Sequence, residues 1–256
     1  MMAMRSMNAV YAMWLSEMLR FWRSKSRIIG ALSTPLTFLI FLGPGLSSGF
    51  QFQGGGALDL SFFAPGFIAM SVLFASLFAG GTVVWEKESG LLKEILIAPI
   101  NRFFVALGKA AGGVTIALIQ GTSLLVFAGL VGVRYVSGPG VLAGLLVMAV
   151  SGIGFIGLAV ALASWIESPE GFQMIMSFVA MPLVLLSGAF FPISGLPPWL
   201  GVLVSMNPLT YSVEALRWCL LGSSVIPITM SSAVITLFAF CMLLLGGKYF
   251  GRIRVQ

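Results

Sequence analysis

Long apolar stretches alternate with short polar ones along nearly the whole chain, and this alternation dominates the sequence. Six of the apolar stretches approach the roughly 20 residues that an α-helix needs to cross about 30 Å of hydrocarbon. They are residues 28–46, 62–84, 103–131, 141–163, 172–190 and 226–245. The pattern predicts an all-α integral membrane protein in which residues 1–256 form a single domain with six transmembrane helices.

The N-terminal segment, residues 5–27, is amphipathic rather than uniformly apolar. Aromatic and aliphatic residues recur on one side at helical spacing, while serine and arginine fall on another. The first set is Tyr11, Trp14, Leu15, Met18 and Trp22, and the second is Ser16, Arg20, Arg23 and Arg27. This pattern is typical of a helix in the membrane interface. The alternative is the start of a signal peptide. Because a full apolar span and further spans follow, we expect an uncleaved interfacial helix.

Composition and charge agree with a membrane protein and add an orientation. The 256 residues are 59% hydrophobic and only 9% charged, and a soluble domain of this length could not bury that much apolar surface. Of the 14 lysines and arginines, all but Arg134 and Arg217 fall on segments that six crossings place on one side. Since basic residues concentrate on cytoplasmic loops, we expect both termini in the cytoplasm and the protein in the plasma membrane. These loops also explain the net charge of +6, so no nucleic-acid partner is expected.

Several kinds of chemistry are missing from the sequence. The chain has no histidine, which removes histidine metal sites, serine–histidine triads and histidine proton relays. It has no Walker A motif and no nucleophile beside a base. The predicted spans are nearly free of charge, with Lys109 the one exception near the start of a span, which argues against ion-coupled carriers and selective ion channels. We expect no catalytic residue, no metal and no cofactor in this chain, and therefore a transport protein rather than an enzyme.

The polar segment 85–102 lies between the second and third predicted spans and holds six charged residues. Leucine and isoleucine residues form one stripe of a short helix, Glu86–Leu96, and charged residues form much of its other side. Two interpretations stay open: an interfacial loop held by hydrophobicity alone, or a docking helix for a soluble partner, in which charges orient and leucines anchor. The candidate docking residues are Glu86, Lys87, Glu88, Gly90, Leu91, Leu92 and Ile95.

A second unusual segment, residues 191–225, is apolar but contains too many prolines to span a membrane. Asn207 and Pro208 read as a helix cap followed by proline at the first helical position, and Glu214 and Arg217 form an i,i+3 pair. Because irregular backbone at membrane depth needs cover from protein or from a water-filled cavity, we expect a re-entrant helical hairpin that closes the external end of a central cavity. The alternative is a peripheral extracellular loop. The candidate gate residues are Phe190, Phe191, Pro192, Leu196, Pro197, Pro198, Asn207, Pro208, Tyr211, Glu214 and Arg217.

Both segments carry a resemblance to a known family. EKESGLLKEILIAPINRFFVALGK resembles the cytoplasmic-loop signature of the ABC type-2 permeases, and LLSGAFFPISGLPPWLGVLVSMNPLTYSVEALR resembles the signature that follows their fifth helix. The resemblance covers essentially the whole chain. Within the family, the sequence is most similar to the daunorubicin-resistance and nodulation lipo-oligosaccharide exporter branch.

The resemblance implies the transmembrane subunit of an ABC exporter. Two separate ATPase subunits, which would carry the ATP and Mg, would dock on the segment 85–102 as a coupling helix, with residues 5–27 as a connecting helix. A second permease copy, forming a homodimer in preference to a pair with a paralogue, would pair along the first and fifth helices. The segment 191–225 would form the external gate.

The cargo is constrained only by the walls of the pathway. Charge-poor walls favour an amphipathic or lipid-linked cargo, because they solvate a strongly charged one poorly. Phe178 and Met181 are candidate lining residues. Polysaccharide export, an ATP-independent channel or facilitator, and a structural subunit of a membrane complex stay open as alternatives.

Overall fold

The computed structural model describes residues 2–25, 29, 33, 36–42, 60–91 and 102–251. Within these residues the chain forms α-helices and one short π-helical segment, Phe38–Leu42, and no strand. The helices are α1 (Met2–Arg23), α2 (Leu60–Glu88), α3 (Arg102–Leu130), α4 (Gly138–Trp165), α5 (Pro169–Leu185), α6 (Pro198–Met206), α7 (Pro208–Leu221) and α8 (Ile228–Gly251). The prediction of an all-α membrane protein is confirmed.

Four helices of the described part are long and apolar enough to cross a membrane. They are Leu60–Glu88, Phe103–Leu130, Gly138–Trp165 and Ile228–Phe250, and they coincide with the second, third, fourth and sixth predicted spans. The predicted first span, residues 28–46, lies largely outside the described residues. The predicted fifth span is the 17-residue helix α5, which rises about 25 Å. It ends before residue 190 because Gly188 adopts φ 70°, a left-handed conformation that terminates helices.

Helix α2 lies at the centre of the bundle, and 83% of its most apolar window is buried. It contacts α3, α4, α5 and α7. Glycines permit these close contacts, since a Cβ at Gly80 would lie 2.4 Å from the Cβ of Ala159 in α4, and one at Gly81 would lie 2.3 Å from the Phe172 ring in α5. Small residues of this kind let transmembrane helices approach closely, so four neighbouring helices pack against α2.

The bundle has two ends, which we name by the charged residues found there. The Lys87 end carries the C-termini of α2, α4 and α8 and the N-termini of α3 and α5, as the contacts of Lys87 with Ile166 and of Trp85 with Phe172 show. The Arg217 end carries the short helices α6 and α7 and the C-terminus of α5, because Arg217 bonds to Gly188. The two segments singled out in the sequence therefore lie at opposite ends of the bundle.

Candidate functional site

The last turn of α2 sends three consecutive side chains to three different neighbours, and we call residues 85–87 the α2 root. Successive helical side chains diverge by about 100°. Trp85 makes an edge-to-face contact with Phe172 of α5, with ring centroids 6.4 Å apart. Lys87 Nζ donates to the final carbonyl oxygens of α4, with distances of 3.0 Å to Ile166 and 3.4 Å to both Ala163 and Ser164.

Between these two side chains, Glu86 enters a buried charge cluster made of Glu17, Arg20, Glu86 and Lys109. Lys109 Nζ lies 3.0 Å from Glu17 Oε1 and 2.6 Å from each carboxylate oxygen of Glu86. Arg20 Nη1 lies 2.5 Å from Glu86 Oε1 and 4.0 Å from Glu17 Oε1. Lys109 is 8% exposed, Glu17 5% and Glu86 3%. With two cations and two anions the cluster is neutral, as buried charges must be if they are to stay ionised.

Glycine spacing in α3 explains how α1 reaches this cluster. A Cβ at Gly108 would lie 2.6 Å from the Cβ of Met13, and one at Gly112 would lie 2.7 Å from the Cβ of Glu17. One turn further along α3, Trp14 Nε1 donates a hydrogen bond of 3.0 Å to Thr115 Oγ1. The two small residues bring the backbones together, and this approach places Glu17 beside Lys109.

The orientation of α1 differs from the predicted division into an apolar and a basic face. Tyr11, Leu15 and Trp22 do share an exposed side. Met18, however, is buried against α3, and Arg20 points toward Glu86. The reason is the carboxylate pair at Glu17 and Glu86, which draws an arginine from the polar face toward the protein.

The structure also corrects the predicted helix Glu86–Leu96. Helix α2 continues through Glu88, and the break comes at Gly90, whose φ is 75°. Glu86 and Lys87 are therefore occupied inside the chain, whereas Glu88 and Ser89 are exposed. Gly90 and Leu91 follow the break and are half-buried, and Leu92 and Ile95 lie outside the described residues. The docking role of this segment stays a prediction.

At the Arg217 end, the pair of Glu214 and Arg217 is buried, with exposures of 1% and 4%. The predicted i,i+3 ion pair forms. Arg217 Nη2 donates to Gly188 O at 3.2 Å, and the guanidinium lies 4.1 Å from the centroid of the Phe62 ring. The other Glu214 oxygen, Oε2, accepts from the backbone N–H of Val225 at 2.6 Å. One ion pair thus ties α7 to the end of α5, to the start of α2 and to the loop before α8.

Side chains around the start of α7 also satisfy the last carbonyls of α5. Asn207 caps α7, accepting from Leu209 N at 2.9 Å, and its Nδ2 donates to Leu183 O at 2.7 Å. Thr210 Oγ1 lies 3.2 Å from Leu186 O. Because the final carbonyls of a helix have no partners within it, these bonds fasten the hairpin of α6 and α7 to α5.

The remaining candidate gate residues line the chain between α5 and α7. Phe190 packs edge-to-face on Phe38 and Phe67, with centroids 6.1 Å and 5.9 Å away. Tyr211 is buried and its hydroxyl donates to Ser205 O at 2.7 Å. The half-buried members are Phe191, Pro192, Leu196 and Pro208, and the exposed ones are Pro197 and Pro198. Their role as a gate stays a prediction.

Phe178 and Met181 lie on the outward side of α5, where they are 81% and 60% exposed. A groove of about 100 Å³ runs along a different side of α5, between it and α2. Its walls are almost entirely apolar, with two polar side chains, and its lining includes Phe74, Phe78, Trp85, Phe172, Gln173 and Ser177. The structure therefore does not bring Phe178 and Met181 into the groove. Among the described residues, no group of histidine, cysteine or carboxylate side chains could hold a metal ion.

We predict that Lys109→Met destabilises the protein strongly, because it leaves the buried carboxylates Glu17 and Glu86 with only Arg20. Breaking one side of a buried pair costs about 3–5 kcal/mol. Thermal unfolding in detergent measures the effect. The double variant Lys109→Met with Glu17→Gln restores neutrality and should regain much of the loss. A double variant no more stable than Lys109→Met alone would show that charge balance is not what matters.

We also predict that Arg217→Gln loosens the Arg217 end, since Gly188 O and Glu214 lose their partner. The matched control is Arg134→Gln, because Arg134 is exposed and its replacement should change the unfolding temperature little. Exchanging the pair, with Glu214→Arg and Arg217→Glu, should not restore stability, because arginine cannot accept from Val225 N. Full stability of the exchanged pair would contradict the bonding described above.

Comparison with known proteins gives the arrangement a family. Residues 8–221 match the ABC-2 type transporter family. The chain is 28% identical over 214 residues to nodulation protein J of Rhizobium meliloti, covering 83% of this chain and 80% of that protein. It is 29% identical over 197 residues to nodulation protein J of Sinorhizobium fredii, covering 74% and 72%. It is also 25% identical over 199 residues to the putative transport permease ycf38 of Cyanophora paradoxa, covering 77% and 69%.

The match covers both ends of the bundle, including the α2 root and the hairpin of α6 and α7. It agrees with the resemblance found in the sequence, and a permease of this type works with ATP-binding subunits. A multi-pass membrane protein with several long apolar helices fits that role. The chain belongs to the ABC-2 type transporter family and is an ABC transporter permease.

Proposed function

We propose that this permease is the transmembrane subunit of an ATP-driven exporter that moves an amphipathic or lipid-linked cargo out of the cytoplasm or inner leaflet by alternating access. ATP and Mg would be bound by two separate ATPase subunits. The observation that carries the proposal is the α2 root, where three consecutive side chains bond to α5, to α1 and α3, and to α4.

The root gives a mechanical reason for placing the ATPase contact on the segment that follows it. Glu88 and Ser89 are exposed and continue directly from Lys87. A displacement of this segment would act on the central helix and, through the root, on four neighbours at once. ATP binding can shift the conformational equilibrium only through contacts that differ between the inward-open and outward-open states, and this segment is where we place them.

The orientation follows from the distribution of charge. Basic side chains concentrate in residues 5–27, 87–109 and 248–254, so the Lys87 end would face the cytoplasm under the positive-inside rule. The hairpin of α6 and α7 would then close the external end. This arrangement places the ATPase contact and the gate on opposite sides of the plasma membrane.

The groove between α2 and α5 favours an amphipathic cargo. It opens near Trp85 and Phe172, close to the Lys87 end, and pairs apolar walls with the polar groups of Gln173 and Ser177. A cargo with a hydrocarbon part and a small polar part would match both. Phe178 and Met181 project away from the protein, so they would meet a second permease copy along α5 or the cargo between the two copies. We propose a homodimer built on this surface.

Cross-linking tests the ATPase contact. We predict that Ser89→Cys, carrying a short bifunctional cross-linker, captures the co-expressed ATPase subunit, because Ser89 is exposed just beyond the root. Trp199→Cys is the matched control, since Trp199 is 66% exposed on the hairpin at the opposite end. We further expect Glu88→Arg to reduce co-purification of the ATPase, with the exposed Glu170→Arg as its charge control.

Capture through Trp199→Cys and not through Ser89→Cys would invert the proposed orientation. Capture through neither site, with no loss of co-purification for Glu88→Arg, would contradict docking on this segment. Transport by the reconstituted complex that continues without ATP would favour the channel, and transport of long polysaccharides in place of amphipathic cargo would favour the polysaccharide exporter.

A further inference from the structure

The outward side of α1 carries an apolar stripe that no described residue covers. Its members recur every three or four residues and so share one side of the helix. Spanning 15 helical steps, the stripe is about 22 Å long. It comprises Met7 (73% exposed), Tyr11 (60%), Leu15 (36%), Leu19 (46%) and Trp22 (66%).

Basic residues flank this stripe at the C-terminal end of α1. Arg23 and Lys25 are exposed, and none of the ion pairs among the described residues involves them. Arg20 lies between the outer surface and the protein interior. Its side chain is 36% exposed, while its Nη1 lies 2.5 Å from Glu86 Oε1. Arg20 can therefore be reached from outside while it remains bonded to the buried charge cluster.

A partner for this surface must be apolar along about 22 Å and negatively charged beside the arginines. The outer boundary of a bilayer that contains anionic phospholipid has this composition, since acyl chains lie directly beneath the phosphates. The aromatic residues at positions 11 and 22 suit the headgroup level. An acidic protein surface would match the basic edge but would leave the apolar stripe exposed to water, so charge and apolarity together favour lipid.

We propose that the outer side of α1 binds anionic phospholipid headgroups, with the stripe in the acyl boundary, Arg23 and Lys25 on the phosphates, and Arg20 shared between a phosphate and Glu86. Bound lipid would then contact the buried charge cluster through one side chain. The placement in the cytoplasmic leaflet rests on the proposed function, but binding itself does not require an ATPase.

Quenching of Trp22 fluorescence by brominated lipids tests the proposal on the full chain in nanodiscs. The signal of Trp22 is the difference between the protein and its Trp22→Phe variant. We expect brominated phosphatidylglycerol to quench it more than brominated phosphatidylcholine at equal mole fraction. Each basic residue near an anionic surface contributes on the order of a fivefold preference, so Arg23→Gln with Lys25→Gln should largely remove the difference. Arg134→Gln, the matched control at the opposite end of α3, should keep it.

Equal quenching by the two brominated lipids would overturn the proposal, as would a preference that survives the Arg23→Gln and Lys25→Gln changes. If neither lipid quenches Trp22, a protein covers the stripe, and the proposal is also wrong. Arg20→Gln separates the two parts of the site. It should reduce the preference for phosphatidylglycerol and also lower the unfolding temperature, whereas the double variant should leave the unfolding temperature unchanged. These readouts hold even if the ATPase fails to bind, so they are independent of the docking test.

Discussion

Two carboxylates and two cations buried at the Lys87 end have to stay within hydrogen-bonding distance of one another. A single charge left alone in that apolar setting would cost several kcal/mol, and here the four groups come from three different helices. Glu17 and Arg20 belong to α1, Glu86 to the end of α2 and Lys109 to the start of α3. None of these helix ends can separate from the others without exposing an unpaired charge to the interior. Electrostatics therefore makes the three ends one mechanical unit.

The rest of the Lys87 end is arranged around this constraint. Gly108 and Gly112 bring α1 close enough for Glu17 to meet Lys109, while Trp85 and Lys87 extend the same turn of α2 to α5 and α4. The opposite end repeats the principle with one buried pair. Glu214 and Arg217 hold α7 to three other segments. Between the two ends lies a charge-poor core, so each polar anchor sits where a soluble partner or an external gate would act on it.

The sequence predicted the architecture well but did not predict the partners of its charges. Apolar run length was sufficient for the long spans, and Asn207 and Pro208 identified the start of α7 correctly. The sequence failed at Glu86, because a charge followed by a leucine-rich stripe looks like the start of a surface helix. Only the three-dimensional contact between α1 and α3 reveals that its carboxylate is buried. The isolated Glu17 and Lys109, each an unusual charge beside apolar residues, were the available signal, but their pairing spans 92 positions, which local spacing cannot show.

The account rests on the claim that the ends of α1 and α2 move together when the ATPase acts. Spin labels at Ser24 and Ser89, on one permease copy of the complex with its ATPase, measure this directly by pulsed electron resonance. The account predicts that the distance between the two labels stays the same with and without a non-hydrolysable ATP analogue, while the distance from Ser89 to a label on the second copy changes. A shift between Ser24 and Ser89 on nucleotide binding would show that α1 leaves the cluster, and would contradict the account.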